Sequence, residues 1–227
     1  MSSRPHPASR RPRAVLPRSF YGRPSLEVAR DLLGRTLVRT LPDGARLTGR
    51  IVEAEAYRED DPASHSFRGR TARTDVMFGR PGHLYVYFTY GMHFCMNVVT
   101  GEDGEGSAVL LRAVEPLEGL DRMAAHRGLD APRLLCAGPG RLCQAFAVGR
   151  EQNGADLVAG PDLRIERGTP AADEDVLAGP RVGLTVALEQ PWRFVVATSR
   201  FLSRGPRFAP GAAARRRVRP ASDSPRT

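Results

Sequence analysis

The sequence contains no lysine; all 34 of its basic residues are arginine. A guanidinium stays protonated, so no side chain offers an amine nucleophile, and Schiff-base chemistry from a lysine is excluded. The high alanine, arginine, glycine and proline content attributes this absence to compositional bias, and the chemical exclusion holds whatever its origin. Cysteine is scarce as well. Cys95, Cys136 and Cys143 are odd in number, with neither a pairing pattern nor metal-type spacing. That argues against a disulfide framework or a metal site and for a reducing, cytoplasmic setting. No apolar run follows the N-terminal arginines, as a secretory signal requires. The one long stretch without Asp, Glu or Arg, Pro81 to Thr100, contains Gly, His, Asn and several Tyr and alternates like strands. It is not read as a membrane span, which needs about 20 mainly apolar residues.

What the sequence has in excess is positive charge, with a formal net charge of +9 and a pI near 10.6. The excess lies in Ser3 to Arg18 and Arg204 to Arg219, rich in Arg, Pro, Ala and Ser and poor in core-forming residues. Residues 1–18 and 205–227 therefore read as disordered basic arms around one domain over residues 19–204. Without the arms the middle is close to neutral. A polyanion, nucleic acid first, is the expected partner, although a basic arm that is merely solvated fits the same composition.

Ser25, the apolar positions Leu26, Val28, Ala29, Leu32 and Leu33, and Gly34 after them predict a helix over residues 25–33. Thr36 to Leu41 and Ala45 to Tyr57 flank the turn signal Pro42-Asp43-Gly44, which predicts a hairpin. A second hairpin is predicted from Leu84 to Thr89 and Met92 to Val99, joined by Tyr90-Gly91. A strand over Ala108 to Ala113, a helix from Pro116 to Arg127, and a helix from Gly138-Pro139 to about Val148 follow. Asp156 to Gly179 reads mostly as loop with one strand at Leu163 to Glu166, and Val182 to Leu188 and Trp192 to Ala197 read as closing strands. The fold class is α+β: a single mixed domain built on antiparallel strands, with a protruding β-hairpin and flanking helices.

Alternation along the strand Ile51 to Tyr57 places Val52, Ala54 and Ala56 on one face and Ile51, Glu53, Glu55 and Tyr57 on the other. Two carboxylates and a phenol on one face must meet water, arginines or a cleft, and the pattern alone leaves all of these open. Tyr85 and Tyr87 share a face of the second hairpin, whose turn carries Tyr90, placed to insert between stacked bases or to pack on a neighbouring loop. His65-Ser66-Phe67-Arg68-Gly69-Arg70-Thr71-Ala72-Arg73-Thr74 has the composition of a phosphate-contacting loop.

In order, Glu53-Ala54-Glu55-Ala56-Tyr57, His65-Ser66, Met77-Phe78-Gly79, Leu84-Tyr85-Val86-Tyr87, Tyr90-Gly91-Met92, Cys95-Met96-Asn97, Leu110-Leu111-Arg112-Ala113, Gly138-Pro139, Leu142-Cys143-Gln144-Ala145 and Pro191-Trp192-Arg193-Phe194 form a collinear series. With it, residues from about Phe20 to Ser203 resemble the alkyladenine (3-methyladenine) DNA glycosylases. The resemblance implies an enzyme that flips damaged purines out of double-stranded DNA, without a cofactor or metal, and that works as a monomer. It makes Glu55 the water-activating carboxylate and leaves Glu53 structural. It implies that Arg112 and the Val182 backbone carbonyl hold the water, and that Tyr57, His65 and Tyr87 form the base pocket. By the same resemblance Asn97 rejects guanine, Tyr90 is the wedge, and Arg70, Arg73 and Arg141 lie at or near DNA contacts.

This chain departs from the family pattern in three places. Tyr57 to His65 is one residue shorter, Ala197-Thr198 stands where glycine and asparagine are expected, and Thr185-Val186-Ala187-Leu188 replaces a more polar turn. Two other classes compete: a non-catalytic nucleic-acid-binding module, which has no need of Glu55, and a nucleoside hydrolase, which has no need of Tyr90 or the arginine loop. An alkylated purine already carries positive charge and leaves without an acid, so one base suffices, whereas hypoxanthine needs a proton. With no lysine to attack the sugar, hydrolysis without strand cleavage is expected.

Overall fold

In the computed structural model, which describes residues 14–205 and Phe208, the chain opens with α1 (Arg18–Tyr21) and α2 (Ser25–Asp31). It continues through β1 (Thr36–Thr40), β2 (Arg46–Tyr57), β3 (Leu84–Thr89), β4 (His93–Val99) and β5 (Ala108–Glu118). α3 (Leu120–Arg127), α4 (Pro132–Leu135) and α5 (Pro139–Ala145) follow, then β6 (Leu163–Glu166), β7 (Val176–Gly179) and β8 (Arg193–Val196). All the strand pairings are antiparallel and join one sheet in the order β3-β4-β5-β2-β1-β6, with β8 paired to β2 and β7. The α+β class read from the sequence is therefore the observed one.

β2 organises the sheet because its 12 residues reach past every neighbour. β5 lines one of its edges, while the other is shared end to end by β1, against Arg46 to Arg50, and β8, against Glu53 to Glu55. The β2–β5 ladder is irregular in the middle: Ile51 faces Val114, Glu53 faces Ala113 and Ala54 faces Leu111, so Val52 and Arg112 are skipped. Such bulges bend a strand and re-aim its side chains. Here strict alternation fails, because Ile51 joins Val52, Ala54 and Ala56 in the main apolar core.

That core fills the space between the sheet and the helices, since the apolar positions of α2 (Val28, Ala29) and of the turn after it (Leu32, Leu33) face the strands. A smaller cluster of Met77, Phe78, Tyr85, Val99 and Ala108 forms a second apolar centre. α2 begins at Ser25, but Pro24 holds the cap position and the serine side chain makes no cap hydrogen bond.

Three expectations about local structure are corrected. The segment from Pro116 is not the start of a helix: β5 continues to Glu118 and the helix starts only at Leu120, after Gly119 at φ +78°. Pro116 is tolerated there because it faces Gly49 beside a register shift, where its missing N–H breaks no regular ladder. Val182 to Leu188 is not a strand but a loop with positive φ at Gly183 and Ala187. The strand lies earlier, as β7, in a stretch read as loop, and it is recruited by the edge of β8. Residues 14–18 are not part of a free arm, because Val15 bridges Glu166 and Leu16 is buried, donating its N–H to the Ile165 carbonyl. At the other end Phe208 lies against the Arg193 guanidinium, 4.8 Å from the ring centre. The rest of both arms lies outside the described residues.

Glycines show how closely segments approach. Gly34 ends the α2 segment at φ +84°, and a Cβ there would stand 2.1 Å from the Thr169 carbonyl oxygen. Gly44 has a similar φ of +81° but opens onto free space. Gly44→Ala is expected to cost only the left-handed conformation, about 1–2 kcal/mol, and Gly34→Ala clearly more. Urea unfolding of the two variants measures the difference.

Candidate active site

Glu55 lies where β2 is flanked by β5 and β8, and it is completely buried. Its Oε1 accepts the Val182 N–H at 2.8 Å; its Oε2 accepts the Tyr57 hydroxyl at 3.0 Å and Arg112 Nη1 at 3.3 Å. The structure thus joins Glu55 to the N–H of Val182, the residue whose carbonyl is expected to hold the water. Burial pushes the Glu55 carboxyl above its ordinary value, and the Arg112 charge, the Val182 N–H and the Tyr57 hydroxyl oppose this without cancelling it. Glu53, also completely buried, accepts Arg112 Nε, Arg193 Nε and both donors of Ser203, which accounts for its reading as structural. Neither glutamate is exposed to bulk solvent. The bulged ladder turns Arg112 toward both.

A cavity of about 230 Å³ opens beside this cluster, with Tyr57, His65, Tyr87, Tyr90, Asn97, Arg112 and Val182 among its lining. Most residues named from the sequence therefore converge. The His65 ring meets Tyr87 edge-on at 4.5 Å, its Nδ1 lies 3.0 Å from the Tyr85 hydroxyl, and Tyr85 stacks on Tyr87 at 5.6 Å. Burial, and then the Arg73 charge, pull the His65 imidazole below its ordinary value, so it is neutral near pH 7. Asn97 faces Tyr85 across the β3–β4 ladder and donates to the Tyr85 carbonyl at 3.1 Å. The shortened Tyr57 to His65 segment still delivers His65 to the cavity.

Tyr90 sits at the hairpin tip at φ +51°, followed by Gly91 at +67°, a pair that matches the tight turn expected there. It is 81% exposed and Met92 67%, an apolar tip beside the cavity mouth. Three of the predicted DNA contacts lie outside the cavity lining. Arg70 pairs with Asp75, Arg73 stands beside the Tyr85 hydroxyl, and Arg141 reaches the Ala137 carbonyl from α5, whose Pro139 does touch the cavity.

Sequence reasoning missed Tyr85 as the partner of His65, although its place on the Tyr87 face was a usable signal. It also missed Arg181 and Asp61, a completely buried ion pair. The Arg181 guanidinium lies 4.6 Å from the Tyr57 ring centre and 5.0 Å from that of Trp192, and it donates to the Ala56 carbonyl at 3.1 Å. With its partners 120 positions apart, this pair leaves no local signature. Among the described residues no group of three His, Cys, Asp or Glu could hold a metal ion, and no helix is long and apolar enough to cross a membrane.

Residues 19–200 match the family model described as methylpurine-DNA glycosylase. A relative from Carboxydothermus hydrogenoformans, named "Putative 3-methyladenine DNA glycosylase", is 48% identical over 84% of this chain and 99% of its own. Relatives under the same name from Burkholderia lata and Methanocella arvoryzae are 49% identical over 87% of this chain and 95% of their own, and 52% identical over 79% and 91%, respectively. The class of protein is thus a DNA glycosylase, a hydrolase that acts on DNA. The chain belongs to the methylpurine-DNA glycosylase family.

Removing one member of a buried ion pair strands the other charge. Asp61→Asn is expected to lower stability by roughly 3–5 kcal/mol, read by urea unfolding, because Arg181 then loses its only carboxylate among the described residues.

Proposed function

We propose that this protein flips damaged purines out of double-stranded DNA and hydrolyses the N-glycosidic bond, leaving an abasic site in an unbroken strand. The observation that supports this best is Glu55: one enclosed carboxylate, oriented by three donors, beside a cavity lined with aromatic rings. As the base it takes a proton from water, and the resulting hydroxide adds to the sugar carbon while the bond to the purine breaks. Arg112 and the Val182 backbone keep that water beside the carboxylate. Tyr57 and Tyr87 stack on the purine, His65 hydrogen-bonds its edge, and Asn97 crowds the exocyclic amine of guanine.

An alkylated purine carries its own positive charge, which strengthens stacking on the rings and lets it leave without an acid. A neutral lesion such as hypoxanthine needs a proton from solvent or a neighbouring group. Tyr90, exposed at the hairpin tip, fills the gap left by the flipped nucleotide. Arg70, Arg73 and Arg141 contact phosphates, so affinity falls steeply with salt. The scheme calls for no cofactor, and the enzyme acts as a monomer in the cytoplasm.

The test is a duplex oligonucleotide carrying one hypoxanthine, ethenoadenine or 7-methylguanine, incubated with enzyme and then treated with alkali. Wild type is expected to give an alkali-labile strand and Glu55→Gln to be slower by roughly 10²–10⁴-fold. No product from any of these lesions defeats the reading. Without alkali the strand is expected to stay whole, and borohydride to trap no covalent adduct; a trapped adduct would show an amine nucleophile at work.

Because Glu55 acts ionised and burial raises its pKa, excision of the cationic 7-methylguanine is expected to rise with pH, through a midpoint above the ordinary glutamate value of about 4.3. Single-turnover rates from pH 4 to 9 measure it.

A further inference from the structure

Glu55 shares its cation. Arg112 donates Nη1 to Glu55 and Nε to Glu53, 3.0 Å away, and both carboxylates are completely buried. One guanidinium between two carboxylates leaves an uncompensated negative charge in a place shielded from bulk solvent. Such a charge is relieved by binding a proton, and Glu55, with three donors against the four on Glu53, is the less well satisfied of the two.

The second cation comes from β8. Arg193 lies opposite Glu55 in the β2–β8 register, yet its Nε donates to Glu53 Oε1 at 2.8 Å, and its side chain is 2% exposed. Ser203 adds its N–H at 2.6 Å and its hydroxyl at 2.8 Å to the same carboxylate. With Arg193 present, two guanidiniums balance two carboxylates, with Arg112 bridging both of them.

We propose that Arg193 is a positioning residue that governs the ionisation of Glu55 through the chain Arg193–Glu53–Arg112–Glu55. This rests on the reading of Glu55 as the base. The other titratable groups near Glu55 do not replace it: Tyr57 on β2, Tyr87 on β3 and Cys95 on β4 are held neutral by burial, and the Arg181 charge is matched by Asp61. Arg193 touches neither the cavity nor, by this reading, the substrate.

The test follows the Glu55 carboxyl carbon by NMR in protein labelled with ¹³C-glutamate, assigned by its loss in Glu55→Gln, through a pH titration without DNA. Arg193→Gln is expected to raise the Glu55 midpoint by roughly one unit or more, and Glu53→Gln to lower it. The double variant, which removes a matched pair of charges, is expected to return the midpoint close to wild type. A merely structural Arg193 predicts no midpoint change of opposite sign in the two single variants and no compensation in the double. If Arg193→Gln does not fold, Glu53→Gln and the double variant still decide: a midpoint unmoved in the first, or displaced in the second, overturns the proposal.

The acid limb of 7-methylguanine excision is expected to move with the NMR midpoint, a one-unit rise giving a tenfold loss of rate on the acidic side. If the carbon titration moves as expected but no variant and no wild type excises a base, the charge relay stands and the glycosylase reading fails. If excision is seen and the carbon midpoint does not move, the relay fails alone.

Discussion

Taking a carboxylate out of water costs several kcal/mol unless donors and cations replace the hydration it loses, and the architecture around Glu55 answers that demand. Two neighbours of β2 contribute, β5 with Arg112 and β8 with Arg193, and the loop after β7 turns the Val182 N–H toward the glutamate. The segment after β8 closes the far side with Ser203 on Glu53. Even so, burial outweighs these partners in its effect on the Glu55 carboxyl. Some affinity for a proton is retained, as the base role proposed for Glu55 requires.

The cavity beside this cluster joins two kinds of environment. Arg112 and Val182, which both hold Glu55, give it a polar side, while Tyr57, Tyr85, Tyr87 and His65 form walls that suit a flat ring. Those walls are themselves fixed by contacts from behind: Arg181 against Tyr57 and the Tyr85 hydroxyl against His65. Beyond the mouth, the β3–β4 turn holds Tyr90 and Met92 out in water, an arrangement that leaves apolar surface exposed. That exposure fits the wedge role proposed for Tyr90.

Much of this was legible in the chain. The two hairpins, the helix from Ser25 with the turn through Gly34 after it, and the tight Tyr90-Gly91 turn follow from local patterns of two to about ten residues, because turn chemistry and side-chain periodicity are local properties. The glutamates and tyrosines of the site could be pointed out as a shared face. The errors arose where long-range pairing overrode local preference. Pro116 was drawn into β5 by the extended edge of β2, and Val176 to Gly179 became a strand because β8 offered it a partner.

By itself, then, the sequence determined the α+β class, the places of most strands, the candidates Glu53 and Glu55, and the absence of any lysine amine for covalent chemistry. Only the tertiary structure decided that both glutamates are buried away from bulk solvent, that a skipped position in the β2–β5 ladder turns Arg112 onto them, and that Arg181 and Arg193 complete the charge balance. The reason is distance along the chain. Arg112 and Glu55 are 57 residues apart, and Arg193 and Glu53 are 140 apart, so the charge state of the site depends on which strands the sheet brings together.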